Sequence, residues 1–164
     1  MIKIIQRNIN RLVNYINSVL DDQKLESGKI QFKAENNIIN DLLTEVYGLM
    51  YSLVTHKGLE FKLDLDMTLP LIKLDRDKII QVVINLINNS IKFTQTGSIS
   101  IISKNIKKYV QVTVMDTGAG IKNTDLPYIF DSFVQFGEPE NKIGGSGIGL
   151  TISKGIIEKH DGKI

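Results

Sequence analysis

The first 27 residues carry a regular hydrophobic repeat. Apolar side chains recur there at alternating steps of three and four, at Ile2, Ile5, Ile9, Leu12, Ile16 and Val19. This spacing is typical of a helix that packs against another helix in a coiled coil or a bundle. Because one helix cannot bury such a stripe alone, the pattern predicts a partner helix. Ser27-Gly28 is the predicted end of this long amphipathic element.

The rest of the chain alternates between the period of a strand and the period of a helix. Strands are predicted at residues 29–35, 59–65, 71–74, 98–103 and 109–115, the last two as a hairpin. Helices are predicted from an Asn36 or Asn37 cap to a Lys57-Gly58 stop, from an Asp75 cap to about Phe93, and over residues 147–160. This order predicts an α+β domain from residue 28 onward, and Gly162 to Ile164 resembles the start of a further strand.

The amino-acid composition excludes several classes of site and partner. The 164 residues, with 42% hydrophobic and 23% charged side chains, suit one globular domain. The absence of cysteine excludes disulfides, thiolate zinc sites and cysteine nucleophiles. A net charge of +2 argues against nucleic acid or an anionic membrane as the main partner. No apolar run reaches about 18 residues and no signal peptide follows Met1, so we expect a cytoplasmic segment without direct membrane contact.

A row of polar side chains lies on the predicted helix after Asp75. Asn85, Asn89 and Lys92 are four and three residues apart, so they share one helix face about two turns long. Amide oxygens can ligate Mg²⁺ and an ammonium can contact a phosphate oxygen, so the row suits a metal–phosphate group. A solvated polar stripe would give the same pattern. Asn88 also fits the spacing as well as Asn89 does.

A carboxylate followed by two glycines ends the predicted hairpin. Asp116 closes an apolar strand, and Gly118 and Gly120 come directly after it. The carboxylate can accept a hydrogen bond from an exocyclic amine such as that of adenine, and glycines let the backbone approach a flat ring. A tight turn with an Asx-type aspartate is the simpler alternative. Asp-Thr-Gly is also the aspartic protease signature, which would require a homodimer because the motif occurs once.

A third motif, Gly144 to Leu150, contains four glycines and opens the last predicted helix. Exposed backbone N–H groups and a helix N-terminus favour an anion there. The motif is neither the dinucleotide fingerprint nor a P-loop, because its last glycine spacing is short and no Gly-Lys-Ser/Thr follows. Taken in order, the three motifs describe an ATP site. Between the last two, Phe130, Phe133 and Phe136 either pack locally or contact the ligand.

At this point the chain closely resembles the catalytic ATP-binding domain of sensor histidine kinases, within the superfamily of gyrase, Hsp90 and MutL. Four ordered boxes carry the resemblance, at Gln81–Thr94, Asp116–Ile121, Phe130–Phe136 and Gly145–Leu150. Residues 1–27 resemble the second helix of the dimerisation and phosphotransfer domain, and residues 28–164 the catalytic domain. The implied fold is the Bergerat fold, a two-layer α/β sandwich with a mixed sheet.

The resemblance implies roles for individual residues. Asn89 would ligate Mg²⁺, Asn85 and Lys92 would contact phosphates, and Phe93 would line the nucleotide. Asp116 would bind the adenine amine, with Gly118 and Gly120 beneath the ring. The other residues expected at the nucleotide, including the glycines of a mobile phosphate lid, are Ile121, Phe133, Gly145, Ser146, Gly147, Ile148, Gly149, Leu150 and Thr151.

One position separates a kinase from a hydrolase in this superfamily. Its ATPases carry a glutamate four residues before the metal-binding asparagine, where it activates water. This chain has Asn85 there, and an amide cannot take a proton at neutral pH. The expected activity is therefore transfer of the ATP γ-phosphoryl to a protein histidine. A superfamily ATPase and a non-catalytic nucleotide-binding dimerisation module remain the alternatives.

Three departures from the family pattern qualify the resemblance. The acceptor helix with its phosphorylated histidine is absent from this sequence, so the chain alone is expected to be incompetent for autophosphorylation. Gln135 replaces an arginine common in the third box, and the closing strands of the family sheet are missing. The implied partners are a second copy, joined through residues 1–27 and the missing helix, and the receiver domain of a response regulator.

Overall fold

The computed structural model describes residues 32–136 and 147–164. They fall into two compact units, residues 32–122 and residues 123–164. The helix predicted over residues 1–27, and the predicted site residues Gly145 and Ser146, lie outside the described residues.

The first unit contains the helices and strands that surround the amide row and Asp116. In chain order they are β1 (Glu35–Asn37), α1 (Ile39–His56), β2 (Glu60–Leu65), β3 (Ile72–Leu74), α2 (Arg76–Phe93), β4 (Ser98–Ile106) and β5 (Tyr109–Asp116). Strand β4 lies between β2, which is parallel to it, and β5, which is antiparallel to it. Strands β1 and β3 form a separate antiparallel pair. The larger sheet is therefore mixed.

Two amphipathic helices cover the mixed sheet. Helix α1 contacts β2 and β4, and helix α2 contacts β4 and β5. The side chains between the two layers are fully or almost fully buried, and they include Leu42, Leu43, Val46 and Val54 of α1, Val82, Val83 and Ile87 of α2, and Phe61, Ile99 and Ile101 of the sheet. This arrangement confirms the predicted α+β class with a mixed sheet, because each helix buries the apolar stripe that its sequence period indicates.

Helix α2 begins and ends where the pattern predicts. The side chain of Asp75 accepts a hydrogen bond from Lys78 N at 3.1 Å, and a second from Lys33 N at 2.8 Å. The first of these satisfies an N–H that the helix itself leaves unpaired. The Lys57-Gly58 stop of α1 is also confirmed, since Lys57 is its C-cap and Gly58 has φ +78°.

The predicted start of α1 is wrong. Neither Asn36 nor Asn37 is the cap; both belong to β1, and Ile38 occupies the cap position without a side-chain hydrogen bond. Asn37 Nδ2 instead donates to Leu74 O at 3.2 Å. Pairing with β3 requires extended backbone at these residues, so a partner distant in sequence overrides the local capping preference.

The second unit contains a short 3₁₀ helix, Leu126–Tyr128, and helix α3, Gly149–Glu158. Ile148, Ile152 and Ile156 are buried at intervals of four residues, so α3 packs one face inward. The helix begins two residues later than predicted.

Within residues 32–136 and 147–164, none of the helices combines the length and hydrophobicity that crossing a bilayer requires.

A closed set of three hydrogen bonds fastens α1 to the sheet. The hydroxyl of Ser103 on β4 donates to Asn40 Oδ1 at 2.8 Å, and Asn40 Nδ2 donates to Asp66 O at 2.8 Å. Asp66 N in turn donates to Ser103 Oγ at 3.1 Å. Asn40 and Ser103 are both buried. Since buried polar groups are costly when unpaired, this set makes the helix register specific.

We expect Asn40→Ala to lower the free energy of unfolding by about 1–3 kcal/mol, because the buried Ser103 hydroxyl loses its acceptor and the Asp66 carbonyl loses a donor. Urea titration followed by circular dichroism measures the change. Asn36→Ala removes the same side chain from an exposed strand position and should stay within about 0.5 kcal/mol of the unsubstituted chain. Equal denaturation midpoints for the two variants would contradict the role of Asn40.

Candidate functional site

The amide row lies beside the buried face of α2. Asn85, Asn89 and Lys92 are all half-buried, whereas Asn88 is exposed. Burial therefore favours Asn89 over Asn88 as the site residue, although helical spacing alone suits both equally. The partly enclosed row retains the chemistry of two amides and one ammonium, which suits a metal ion with anionic oxygens.

Lys92 is a partly desolvated cation. Its Nζ lies 4.7 Å from the centroid of the Phe93 ring, and the ring itself is 47% exposed. Burial lowers the pKa of Lys92 below its ordinary value, since removal from water disfavours the charged form. An anion placed near this ammonium would restore the lost stabilisation. Lys92 is therefore suited to bind a phosphate oxygen.

The carboxylate of Asp116 is held against α2. Ser90, buried on the helix, donates its hydroxyl hydrogen to Asp116 Oδ2 at 2.9 Å. Gly118 N donates to the other oxygen, Oδ1, at 2.9 Å. A carboxylate offers about four acceptor positions, so these two bonds fix its orientation and leave capacity for a further donor.

The loop after Asp116 lies directly against the end of α2. A Cβ atom on Gly118 would lie 2.7 Å from Phe93 O and 2.8 Å from Asp116 Oδ1, so only glycine fits there. Ala119 N donates to the same Phe93 carbonyl at 3.4 Å. Gly120 has φ +71°, a conformation that glycine adopts without strain. The structure thus brings the amide row, Phe93 and the Asp116 loop together in the first unit.

A second contact fixes the loop to the turn before β4. Thr117 Oγ1 accepts a hydrogen bond from Ser98 N at 3.0 Å and donates to Thr96 O at 3.3 Å. Gly97, with φ +110°, lies so close to this hydroxyl that an added Cβ would overlap it. The turn and the loop therefore form one joined structure.

Neither Ser90 nor Thr117 is among the site residues that the sequence predicts. A signal for Ser90 was present, because Val83, Ile87 and Ser90 lie at i, i+4 and i+7 on the buried face of α2. A hydroxyl in such a stripe needs a hydrogen-bond partner, and Asp116, itself an exposed residue, is that partner. For Thr117 the sequence contains no comparable signal, since its partners belong to a turn nearly twenty residues earlier.

The phenylalanine segment and the last glycine motif are adjacent in the second unit. Phe133 N donates to Gly147 O at 2.9 Å, and Phe133 and Gly147 have φ +66° and +72°. A Cβ on Gly147 would lie 2.8 Å from the carbonyl carbon of Phe133. Thr151 Oγ1 donates to Phe130 O at 2.9 Å, which fastens the same segment to the first turn of α3.

The remaining predicted site residues differ in exposure. Ile121 and Phe133 are exposed, at 51% and 57%. Gly149 and Leu150 are half-buried in the first turn of α3, whereas Ile148 is fully buried, so Ile148 could serve a ligand only through its backbone. The contact predicted between the glycine motif and nucleotide phosphates stays a prediction.

Comparison with known proteins identifies the family. Residues 74–164, more than half of the chain, match the model for "Histidine kinase-, DNA gyrase B-, and HSP90-like ATPase". The chain is 36% identical over 163 residues to hybrid signal transduction histidine kinase L of Dictyostelium discoideum, covering 95% of this chain and 10% of that protein. It spans a fifth or less of the first curated relatives that it matches.

Two solved histidine kinase structures are similar to this chain over nearly its whole length. One is full-length ShkA in complex with AMPPNP, with a TM-score of 0.84, 27% identity, and coverage of 95% of this chain and 32% of ShkA. The other is histidine kinase ThkA in complex with the response regulator protein TrrA, with a TM-score of 0.77, 29% identity, and coverage of 99% and 45%. The resemblance drawn from the four boxes is confirmed: the chain belongs to the histidine kinase-, DNA gyrase B- and HSP90-like ATPase family, and within it to the catalytic ATP-binding domains of sensor histidine kinases.

Proposed function

We propose that this chain binds ATP with Mg²⁺ and is the phosphoryl-donor site of a sensor histidine kinase. The observation that carries the proposal is the hydrogen bond from Ser90 to Asp116, because it places the adenine-binding candidate beside the helix that bears the amide row. Membership of the ATPase family and the likeness to a kinase structure with bound AMPPNP support the same assignment.

The residues of the first unit fit a purine. Asp116 has acceptor capacity beyond its bonds to Ser90 and Gly118, so it can accept an N–H from an exocyclic amine. The Gly118 backbone packs against the Phe93 carbonyl, and the exposed Phe93 side chain offers apolar surface nearby. The Asp116 carboxylate accepts hydrogen bonds, so it favours a 6-amino purine, which donates one. A 6-oxo purine would place an acceptor oxygen against the carboxylate.

The amide row fits the metal and phosphates. In this proposal the Asn89 side-chain oxygen ligates Mg²⁺, while Asn85 and Lys92 contact phosphate oxygens. Bound Mg²⁺–ATP supplies a γ-phosphoryl group whose charge the metal partly neutralises. Phosphoryl transfer requires mainly positioning and charge neutralisation. The protein side chains can provide both, since Lys92 is a partly desolvated cation beside Phe93.

Asn85 supports transfer to a histidine over hydrolysis. A general base is needed to activate water, and an amide cannot act as one at neutral pH. The aspartic protease alternative is excluded by membership of the ATPase family.

The wider role is proposed from the relatives. We propose that residues 1–27 are the second helix of a dimerisation and phosphotransfer domain and that residues 28–164 are the catalytic domain. We also propose that the parent kinase works as a homodimer, with this segment in the cytoplasm whether or not the parent carries a membrane anchor. The phosphate would pass from histidine to a response regulator, in line with the ThkA–TrrA complex. Mixing the chain with a separate acceptor helix and labelled ATP tests the transfer.

We expect Asp116→Asn to weaken ATP binding by about tenfold or more, equivalent to about 1.4 kcal/mol, because one acceptor oxygen becomes a donor that faces the adenine amine. Calorimetric titration with a non-hydrolysable ATP analogue measures the affinity. Asp64→Asn makes the same exchange at an exposed position on β2 and should leave binding unchanged. Unchanged affinity in Asp116→Asn would rule out the adenine assignment.

Adjacent asparagines test the metal assignment. We expect Asn89→Ala to abolish the gain in ATP affinity that Mg²⁺ gives, whereas Asn88→Ala retains it, because only Asn89 is proposed as a ligand. Each variant is titrated with the ATP analogue in the presence of Mg²⁺ and of EDTA, and the ratio of the two dissociation constants is compared. The opposite result would move the metal ligand to residue 88.

The lowered pKa of Lys92 predicts alkaline loss of affinity. A bound phosphate raises that pKa again, so affinity stays constant at lower pH and falls as the pH rises through the lowered pKa of the free protein. ADP titrations from about pH 7 to about pH 10 should show this fall in the unsubstituted chain. Lys92→Met should bind ADP more weakly, and its affinity should depend less on pH. Lys104→Met should show the same pH dependence as the unsubstituted chain. If Lys92→Met and the unsubstituted chain show the same dependence of ADP affinity on pH, the proposed contact between Lys92 and phosphate is wrong.

A further inference from the structure

We propose that Lys57, at the end of α1, is a positioning residue for the nucleotide site, and that it acts by holding the turn that carries Lys92 and Phe93. The inference rests on the proposed function, because those two residues matter only if a nucleotide binds beside them. Lys57 belongs to none of the motifs that the sequence singles out for chemistry. Its role follows from the structure alone.

The Lys57 ammonium bonds two carbonyls at the C-terminal end of α2. Nζ donates to Thr94 O at 2.8 Å and also donates to Ile91 O. These carbonyls belong to the residues immediately before and after the pair Lys92-Phe93. One side chain therefore bridges both ends of the segment that contributes a cation and an aromatic ring to the site.

The chemistry of a helix terminus explains why a lysine suits this position. The last four carbonyls of a helix have no partner within it, and the C-terminal end carries partial negative charge. An ammonium has three donors on a compact cation, so it can satisfy two carbonyls at once. Thr94 has left the helical conformation, with ψ 118°, and its N–H is the last to bond back into the helix, to Ser90 O at 2.9 Å.

The backbone of Lys57 is itself fixed. Lys57 N donates to Val54 O at 3.1 Å, and Gly58 N donates to Thr55 O at 2.9 Å. Gly58 then reverses the chain with φ +78°. The stem of Lys57 therefore starts from a defined point on a helix whose inner face is buried, and it is suited to hold its ammonium in place.

The same turn is held from another direction by the loop that follows Asp116. Ala119 N donates to Phe93 O, and Gly118 packs its backbone against that carbonyl. Lys57 bonds the carbonyls of residues 91 and 94, so contacts at the carbonyls of residues 91, 93 and 94 leave little freedom to the turn. Removing Lys57 would release two of them. The Lys92 ammonium and the Phe93 ring would then lose their fixed orientation toward a ligand.

Lys57→Met is the direct test, because methionine keeps much of the apolar stem and removes every donor. We expect it to weaken ADP binding about fivefold to tenfold, with Lys57→Arg recovering most of the loss because a guanidinium can still bond carbonyls. Lys73→Met, an exposed lysine on β3, is the matched control and should bind like the unsubstituted chain. Calorimetric titrations are made on the full chain well below each melting temperature.

A double substitution separates positioning from general stability. If Lys57 acts through Lys92 and Phe93, Lys57→Met should weaken ADP binding less in the Lys92→Met background than in the unsubstituted chain, because one of the two side chains that it positions is already gone. Additive losses would overturn the inference, as would a lower melting temperature with unchanged affinity in Lys57→Met. Should Lys57→Met fail to fold by circular dichroism, Lys57→Gln, which keeps amide donors without the charge, takes its place under the same criteria.

The outcomes also distinguish this inference from the proposed function. If the unsubstituted chain does not bind ADP or the ATP analogue, both fail together. If it binds and Asp116→Asn weakens binding while Lys57→Met does not, the nucleotide site stands and the role of Lys57 is wrong. The inference is supported if Lys57→Met weakens ADP binding, Lys57→Arg restores it, and the loss caused by Lys57→Met is smaller in the Lys92→Met background.

Discussion

The hydrogen bond between Ser90 and Asp116 is the interaction on which the candidate site depends. It joins a helix to the end of the third strand of the sheet, twenty-six residues further along the chain. Without it, the amide row and the carboxylate would belong to separate elements with no fixed spacing. With it, the carboxylate oxygens have a defined orientation relative to every side chain on the last two turns of α2. A buried hydroxyl that needs a partner, and a carboxylate that accepts one, satisfy each other at this junction.

Close backbone packing complements that bond. The bare backbone at Gly118 lets the loop touch the Phe93 carbonyl, a distance that no side chain would permit. Together with Lys57 and Ala119, this packing surrounds the last turn of α2 with hydrogen-bond donors. The site is therefore built largely from main-chain contacts, which depend on fold and on glycine, and its few side chains project from a rigid frame. Such a frame suits phosphoryl transfer, where positioning supplies much of the catalysis.

The parts of the structure that the sequence predicted share one property: their determinants are local. Helix α2 has its cap, its apolar stripe and its amide row within twenty residues, and all were predicted from Asp75 to Phe93. The hairpin of β4 and β5 was predicted for the same reason.

The misplaced cap of α1 and the overlooked Ser90, Thr117 and Lys57 share the opposite property, since each depends on a partner far away in sequence. Asn37 Nδ2 donates to Leu74 O, and Lys57 Nζ donates to Thr94 O. Capping preference and helical period carry no information about such partners. The family resemblance supplied the ligand roles but not these supporting contacts.

The contact between Thr117 and Gly97 has a consequence for how this sequence can change over generations. The threonine hydroxyl fills the volume that any side chain at position 97 would need, and the backbone there already favours glycine. The residue type at position 117 therefore limits which residue types position 97 can accept, and the reverse also holds. A lineage that lost the branched residue at 117 would relax the steric demand at 97 and keep only the conformational one, so glycine should persist at 97 even where residue 117 has changed.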